Sequence, residues 1–308
     1  MSGRVSISFD ELILLQAKAR GFSFLPRQPV HSLLSGRHAS RLRGRGLAFE
    51  ELRHYRQGDD VRTIDWKATA RLRSPHVRVY NEERERPVLL LVDQRSPMFF
   101  GSRRAMKSVA AAEVAALAAW RTVSGGDRVG GIVFSDDEMI DLRPNRSQNA
   151  VLRLLHEVVR LNQALASSPA AASSVNVSLN RVLEATHRRA THDYLVVLIS
   201  DLDGADDTTQ RLATEIAAHN DMIVVGIYDP LGAALKPGPG MVAATGRERL
   251  ALPEDAALGP AFTRTFADRV ERWMEIFRAL RVPVIPISAA ESTIDQLREL
   301  FGRKLAAQ

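Results

Sequence analysis

The chain has 308 residues, 45% of them hydrophobic and 25% charged, with 42 basic residues against 36 acidic ones and a formal net charge of +6. That length accommodates one large domain or two small ones, and the composition suits a folded core. With no cysteine in the chain, disulfides, zinc–thiolate sites, iron–sulfur clusters and thiol nucleophiles are excluded.

Most basic residues are arginine, which favours paired contacts with carboxylate or phosphate over a loose lysine-rich tail. No stretch approaches the roughly 18 apolar residues of a membrane span. The first residues lack the basic-then-apolar pattern of a signal peptide. A cytoplasmic protein is therefore expected.

Along the chain, Ser8 and Glu11 have the spacing of a capping box ahead of the apolar run 12–15, so a short helix is expected, closed by Gly21. Residues 36–46, with Arg37, Arg41, Arg43 and Arg45, show no apolar periodicity and read as an exposed basic loop. Residues 58–71 are dense in charge yet carry Ile64, Trp66 and two alanines, so a solvated linker explains them poorly. Gly58, Asp59 and Asp60 form a turn signal. Trp66 is expected to be a buried anchor, with Arg53, Arg62, Asp65 and Arg71 as a charge network around it. The alternative is a partner-facing patch, because Trp and Arg are enriched at binding hot spots. Residues 76–82 alternate as an antiparallel strand does.

From residue 87 the pattern changes. Residues 88–92 are apolar without a break, as a strand buried on both faces requires. Further strands are expected at 128–134, 194–200, 222–228 and 282–287. Helices are expected at 104–123, 147–161, 178–189, 208–219, 262–280 and 292–301. Residues 165–174 and 231–240 read as loops, and 242–251 as a hairpin. Strands alternating with helices give an α/β fold with a doubly wound, mostly parallel sheet. The expected division is an N-terminal β-containing extension over 1–86 and an α/β domain over 87–308.

Two aspartates follow strands, Asp93 and Asp201. Their place is the carboxyl edge of the sheet, where open α/β folds bind ligands if the two strands flank the topological switch point. One reading makes them helix caps. The other joins them with the hydroxyl of Ser96 as oxygen donors for a hard cation such as Mg2+. Ser200 sits beside them. Asp136, Asp137 and Glu138 form an acidic turn. No Gly-x-Ser-x-Gly elbow, Walker loop or HExxH signature is present, and His54, His187 and His192 are scattered.

The run Asp93-Gln94-Arg95-Ser96-Pro97-Met98, the strand 128–134 and Leu198-Ile199-Ser200-Asp201 together resemble a von Willebrand factor A domain. Residues 46–71, with Gly58-Asp59-Asp60, Arg62, Ile64-Asp65-Trp66 and Ala70-Arg71, resemble domain-of-unknown-function family 58. Its members are bacterial and their genes commonly neighbour MoxR-type AAA+ ATPases. The resemblance implies a Rossmann-type fold and a non-enzymatic role as partner or adaptor of such an ATPase, presenting client proteins for remodelling or assembly.

This chain departs from the A-domain metal motif Asp-x-Ser-x-Ser. Arg95 and Pro97 stand at the two serine positions, and the later threonine position falls near Val177 or Ser178. Two arrangements are open. Arg95 places its guanidinium where the cation would sit, neutralising Asp93 and Asp201, or it points outward and Ser96 supplies a hydroxyl. The other functional classes weighed are a metal-dependent phosphoester hydrolase and a nucleic-acid-binding protein using the loop 37–45. The latter predicts steep salt dependence.

Overall fold

The computed structural model describes residues 4–19, 47–82, 86–167, 177–233, 242–245, 248–251 and 258–302. The chain divides into a larger unit, Met1–Val30 with Arg86–Gln308, and a smaller one, His31–Glu85. The expected basic loop 37–45 lies outside the described residues.

The first helix, α1 (Phe9–Lys18), begins on the capping box that the sequence spells: Ser8 accepts from the Glu11 amide and Glu11 reaches back to the Ser8 amide. It belongs to the larger unit, so the expected extension 1–86 does not hold together as one piece. Leu12 and Leu15 enter the core. The buried indole of Trp120 donates to the Leu12 carbonyl at 3.1 Å, and the Ile7 amide donates to Asn162 at 3.0 Å.

The smaller unit is an antiparallel pair, β1 (Leu47–His54) and β2 (His76–Glu82), with α2 (Trp66–Leu72) between them. Strand β1 has no period-2 signal strong enough to identify it; it is a strand because β2 supplies a partner, registered with His54 opposite His76. Each aspartate of the dense motif has a local task. Asp60 caps a short 3-10 turn by accepting from the Arg62 amide, and Asp65 caps α2 by accepting from the Lys67 and Ala68 amides. Gly58, at φ +105, takes the left-handed turn position that a side chain resists.

The larger unit continues with β3 (Val88–Asp93), α3 (Lys107–Ser124), the hairpin β4 (Val129–Phe134) and β5 (Met139–Asn145), α4 (Gln148–Ser167) and α5 (Leu179–Arg189). Next come β6 (Leu195–Ser200), α6 (Asp207–Ala217), β7 (Asp221–Tyr228) and a single turn, α7 (Pro230–Ala233). The small hairpin β8 (Val242–Thr245) and β9 (Glu248–Ala251) precedes α8 (Leu258–Ala279), β10 (Val284–Ser288) and α9 (Thr293–Gly302). One six-stranded sheet runs in the order β10-β7-β6-β3-β4-β5, parallel throughout except for the β4–β5 pair. This is the expected doubly wound, Rossmann-type α/β arrangement, consistent with a von Willebrand factor A-type sheet. The antiparallel edge strand β5 is an addition, since its alternation is diluted by charge.

Side-chain alternation feeds two cores. Val88, Leu90 and Val92 face the layer built by α1, α3, α4 and α9. Leu89 and Leu91 face α5, α6 and α8. Helix α3 is buried on nearly every side from Ser108 to Trp120. Its alanines make that feasible, because small side chains allow close approach to the sheet on one side and to neighbouring helices on the others. The one carboxylate in that helix, Glu113, is buried, and it accepts from Arg4 at 2.9 Å, Arg104 at 2.6 and 2.9 Å, and the Thr293 hydroxyl at 2.6 Å. A single charge thus ties the chain's first residues, the loop before α3, and α9.

The order of connections matters for function. From β3 the chain moves to β4 on one side. After β5 it crosses back to place β6 on the other side of β3. The carboxyl ends of β3 and β6 therefore flank the topological switch point.

Candidate functional site

At that switch point Asp93 ends β3 with its side chain fully buried. It is held by three groups. The Arg95 guanidinium binds it as a fork, Nε to Oδ1 at 3.0 Å and Nη2 to Oδ2 at 2.7 Å. The Arg95 amide adds 3.0 Å to Oδ1, and the Ser200 hydroxyl at the end of β6 donates to Oδ2 at 2.7 Å. Arg95 is itself buried, its Nη2 reaches the Asp203 carbonyl at 3.1 Å, and its guanidinium lies 5.5 Å from the Phe134 ring centroid. The structure thus selects the arrangement in which Arg95 turns inward onto Asp93.

Burial pushes the Asp93 carboxyl above the ordinary aspartate range, against the pull of Arg95. Desolvation also opposes charge on Arg95, but the hydrogen bonds and charge of Asp93 outweigh it and hold the guanidinium above its usual value. Arg95 therefore stays cationic.

Asp201 faces a different cation. Its Oδ2 lies 2.5 Å from Lys107 Nζ, at the first residue of α3, and its Oδ1 accepts from the Asp203 amide at 3.0 Å. Ser96 turns away from both aspartates: its amide donates to Asp136 Oδ2 at 2.9 Å and its hydroxyl binds the same oxygen. Ser178, near the expected threonine position, caps α5 by accepting from the Arg181 amide.

These assignments correct two expectations. Neither Asp93 nor Asp201 caps a long helix, because α3 starts from Met106 and α6 from Asp206. Nor do Asp93, Ser96 and Asp201 converge as a ligand set. A hard cation wants carboxylate and hydroxyl oxygens aimed at one point, and here each oxygen donor answers a separate protein partner. The residues do not fit Mg2+. The loop after β6 is shaped by the same contacts: buried Leu202 sits in the left-handed region at φ 59, with its amide on the Ser200 hydroxyl at 2.9 Å.

The smaller unit carries the other expected residues, and it corrects the anchor. Trp66 is 69% exposed. Asp65 caps α2, which makes Trp66 the first helical residue, and the helix turns Ala68, on its opposite side, into the unit. Arg53 forms a fork with Asp59, 2.8 Å to each oxygen, while the Arg56 amide adds a third bond at 2.8 Å. The Arg53 fork is the main cause that lowers the Asp59 carboxyl to about 2. Arg62 and Arg71 are exposed.

A pH dependence follows. Asp59, Glu138 (through Arg160) and Asp206 (through Asn180) all have carboxyls lowered in the folded chain. Groups depressed on folding stabilise above their unfolded values, and that contribution is lost as pH falls through the folded ones. The share of the urea midpoint that these three groups supply should therefore be flat from neutral pH to the ordinary carboxylate range and then fall continuously toward pH 2, while Asp93, raised on folding, contributes in the opposite sense. Asp59→Asn should flatten the last part of that fall. A native-minus-variant difference in midpoint that rises between pH 4 and pH 2 would contradict it.

Lys107 and Phe100 are the residues that sequence reasoning missed. Lys107 is separated from Asp201 by most of the sheet's connections, and no local spacing signals their pairing. Phe100 is 43% exposed, lies 5.9 Å from Lys107 Nζ, and stands at an apolar cavity of about 420 Å³ on the same edge. Leu202, Ile227, Phe266, Trp273 and Val284 line it, with Lys107 and Asp201 as polar groups.

The family model described as "Protein of unknown function DUF58" matches residues 51–270. The chain is 29% identical over 218 residues to the uncharacterized protein Rv1480 of Mycobacterium tuberculosis and to the uncharacterized protein Mb1516 of Mycobacterium bovis. In each case the match covers 70% of this chain and 66% of the relative, just under two thirds of the relative's length.

Proposed function

Because the chain belongs to the DUF58 family of proteins of unknown function, and because its switch-point carboxylate is neutralised from within, we propose that it is a non-enzymatic protein-interaction module. Its partner is a MoxR-type AAA+ ATPase, as the resemblance implies, and its role is that of an adaptor for remodelling or assembly of client proteins. We place it in the cytoplasm; among the described residues no helix is long and apolar enough to cross a membrane.

The observation that carries this reading is the Arg95–Asp93 fork. It satisfies the switch-point carboxylate from within the chain, which supports a binding role over a catalytic one. Asp93 cannot touch a partner directly, since it is fully buried. The groups that can are Ser96, Asp137 and Phe100, exposed on the surrounding loops, with the apolar cavity beside Phe100 to receive an apolar side chain. An exposed aromatic beside a preformed cavity suits recognition.

The test is association of the purified chain with a MoxR-type ATPase, with and without ATP and magnesium. Phe100→Asp should weaken binding at least ~10-fold, as expected for loss of a central aromatic contact, while the melting temperature changes little. Unaltered binding in Phe100→Asp and Asp137→Arg would remove the edge from the interface. Turnover of a phosphoester, lost in Asp93→Asn, would replace the adaptor reading with a hydrolase.

A further inference from the structure

We infer that the smaller unit carries a second docking surface, centred on Trp66, for an acidic protein segment bearing an apolar anchor. The surface belongs to the smaller unit, and its argument does not rest on the adaptor reading.

Exposure is the first observation. Tryptophan is seldom left in solvent, because its large apolar area is the costliest to hydrate, yet Trp66 is 69% exposed. One helical turn on stands Ala70, too small to cover the indole. Lys67 and Arg71, themselves one turn apart, flank that face and are exposed.

The second observation is the charge around it. Residues 52–77 hold six basic residues and three aspartates. All three aspartates hold bonds within the unit: Asp59 to Arg53 and the Arg56 amide, Asp60 to the Arg62 amide, and Asp65 to the first turn of α2. Arg56, Arg62, Lys67, Arg71 and Arg73 are exposed. The exposed indole therefore shares its helix with the exposed cations Lys67 and Arg71, on a segment whose three aspartates are already engaged. Such a rim steers acidic partners and fixes their register.

Rigidity is the third. Helix α2 is clamped from behind by the Asp65 cap, by buried Ala68 and by the His76 amide on the Thr69 hydroxyl at 3.0 Å. The His54 and His76 rings lie 4.3 Å apart at the base. An aromatic presented on a held helix loses little entropy on binding. A nucleic acid fits less well, because single-strand readers stack successive bases on several aromatics, and α2 presents one.

The experiment uses the full chain and three probes. They are a glutamate-rich amphipathic peptide with leucine anchors, the same peptide with each leucine changed to serine, and a single-stranded oligothymidylate of equal charge. Calorimetry should show the first peptide binding and the second binding at least ~10-fold more weakly. Trp66→Ala should cost a similar factor, Trp66→Phe should retain most of the affinity, and Arg71→Glu should weaken binding and flatten its salt dependence. The melting temperature of Trp66→Ala should stay within about 1 °C of the native chain. Phe100→Asp should leave peptide binding unchanged, which separates this surface from the sheet edge.

Four results would overturn the proposal. They are failure of the first peptide to bind, equal binding by Trp66→Ala, a steep stability loss in that variant, or displacement of the peptide by the oligothymidylate. The third would make Trp66 a structural anchor after all, and the fourth would make the surface a nucleic-acid site.

Discussion

Arg95→Ala will lower the unfolding free energy by about 3–5 kcal/mol, read from urea denaturation, because it leaves the Asp93 carboxylate buried with no counter-charge. The Ser200 hydroxyl and the Arg95 amide remain on Asp93, but two neutral donors do not replace a forked guanidinium. Asp93→Ala should cost a comparable amount by orphaning Arg95. The double variant Asp93→Val with Arg95→Met should recover most of the loss, since an apolar pair of similar volume is often as stable as a buried ion pair. Near-additive losses in the double variant would mean that the two residues are not coupled. Magnesium should leave the native chain's midpoint where it is, because the guanidinium holds the carboxylate the cation would need. A magnesium-dependent rise in the native chain would show that the guanidinium has not taken the cation's place.

The second large effect is expected at Glu113. Glu113→Ala removes the acceptor shared by Arg4, Arg104 and Thr293. Full burial of an unpaired charge would cost about 3–5 kcal/mol, but Arg4 and Arg104 retain some solvent contact, so about 2–4 kcal/mol is expected. The distinguishing readout is local. Hydrogen exchange should rise first in residues 4–19, which reach the sheet through Arg4 and through the Ile7–Asn162 and Trp120–Leu12 bonds. Uniform exchange across the larger unit would mean that Glu113 supports the fold globally rather than clamping its first segment.

These two carboxylates show how far local pattern reaches. Asp93 announces itself, as an acidic residue at the tip of an unbroken apolar run. Glu113 does not, because one glutamate in an alanine-rich helix reads as the solvent-facing position. Only the packing of α1 and α9 against α3 makes it interior. Trp66 fails in the opposite direction. Its size implied an anchor, but the helix is seven residues long and buries Ala68 instead, so the indole faces out.

The sequence alone determined the α/β class, the capping box at Ser8, the buried strands, the family resemblance and the presence of Asp93 and Asp201 at the carboxyl edge. Each rests on short-range physics: side-chain periodicity, cap spacing and apolar runs that need no distant partner. The tertiary structure decided which way Arg95 turns, that Lys107 answers Asp201, that Ser96 pairs with Asp136, and that β5 closes the sheet antiparallel. Those outcomes depend on which groups meet across tens of residues. A buried charge takes whichever partner the fold delivers within hydrogen-bond reach, and no local spacing records that choice.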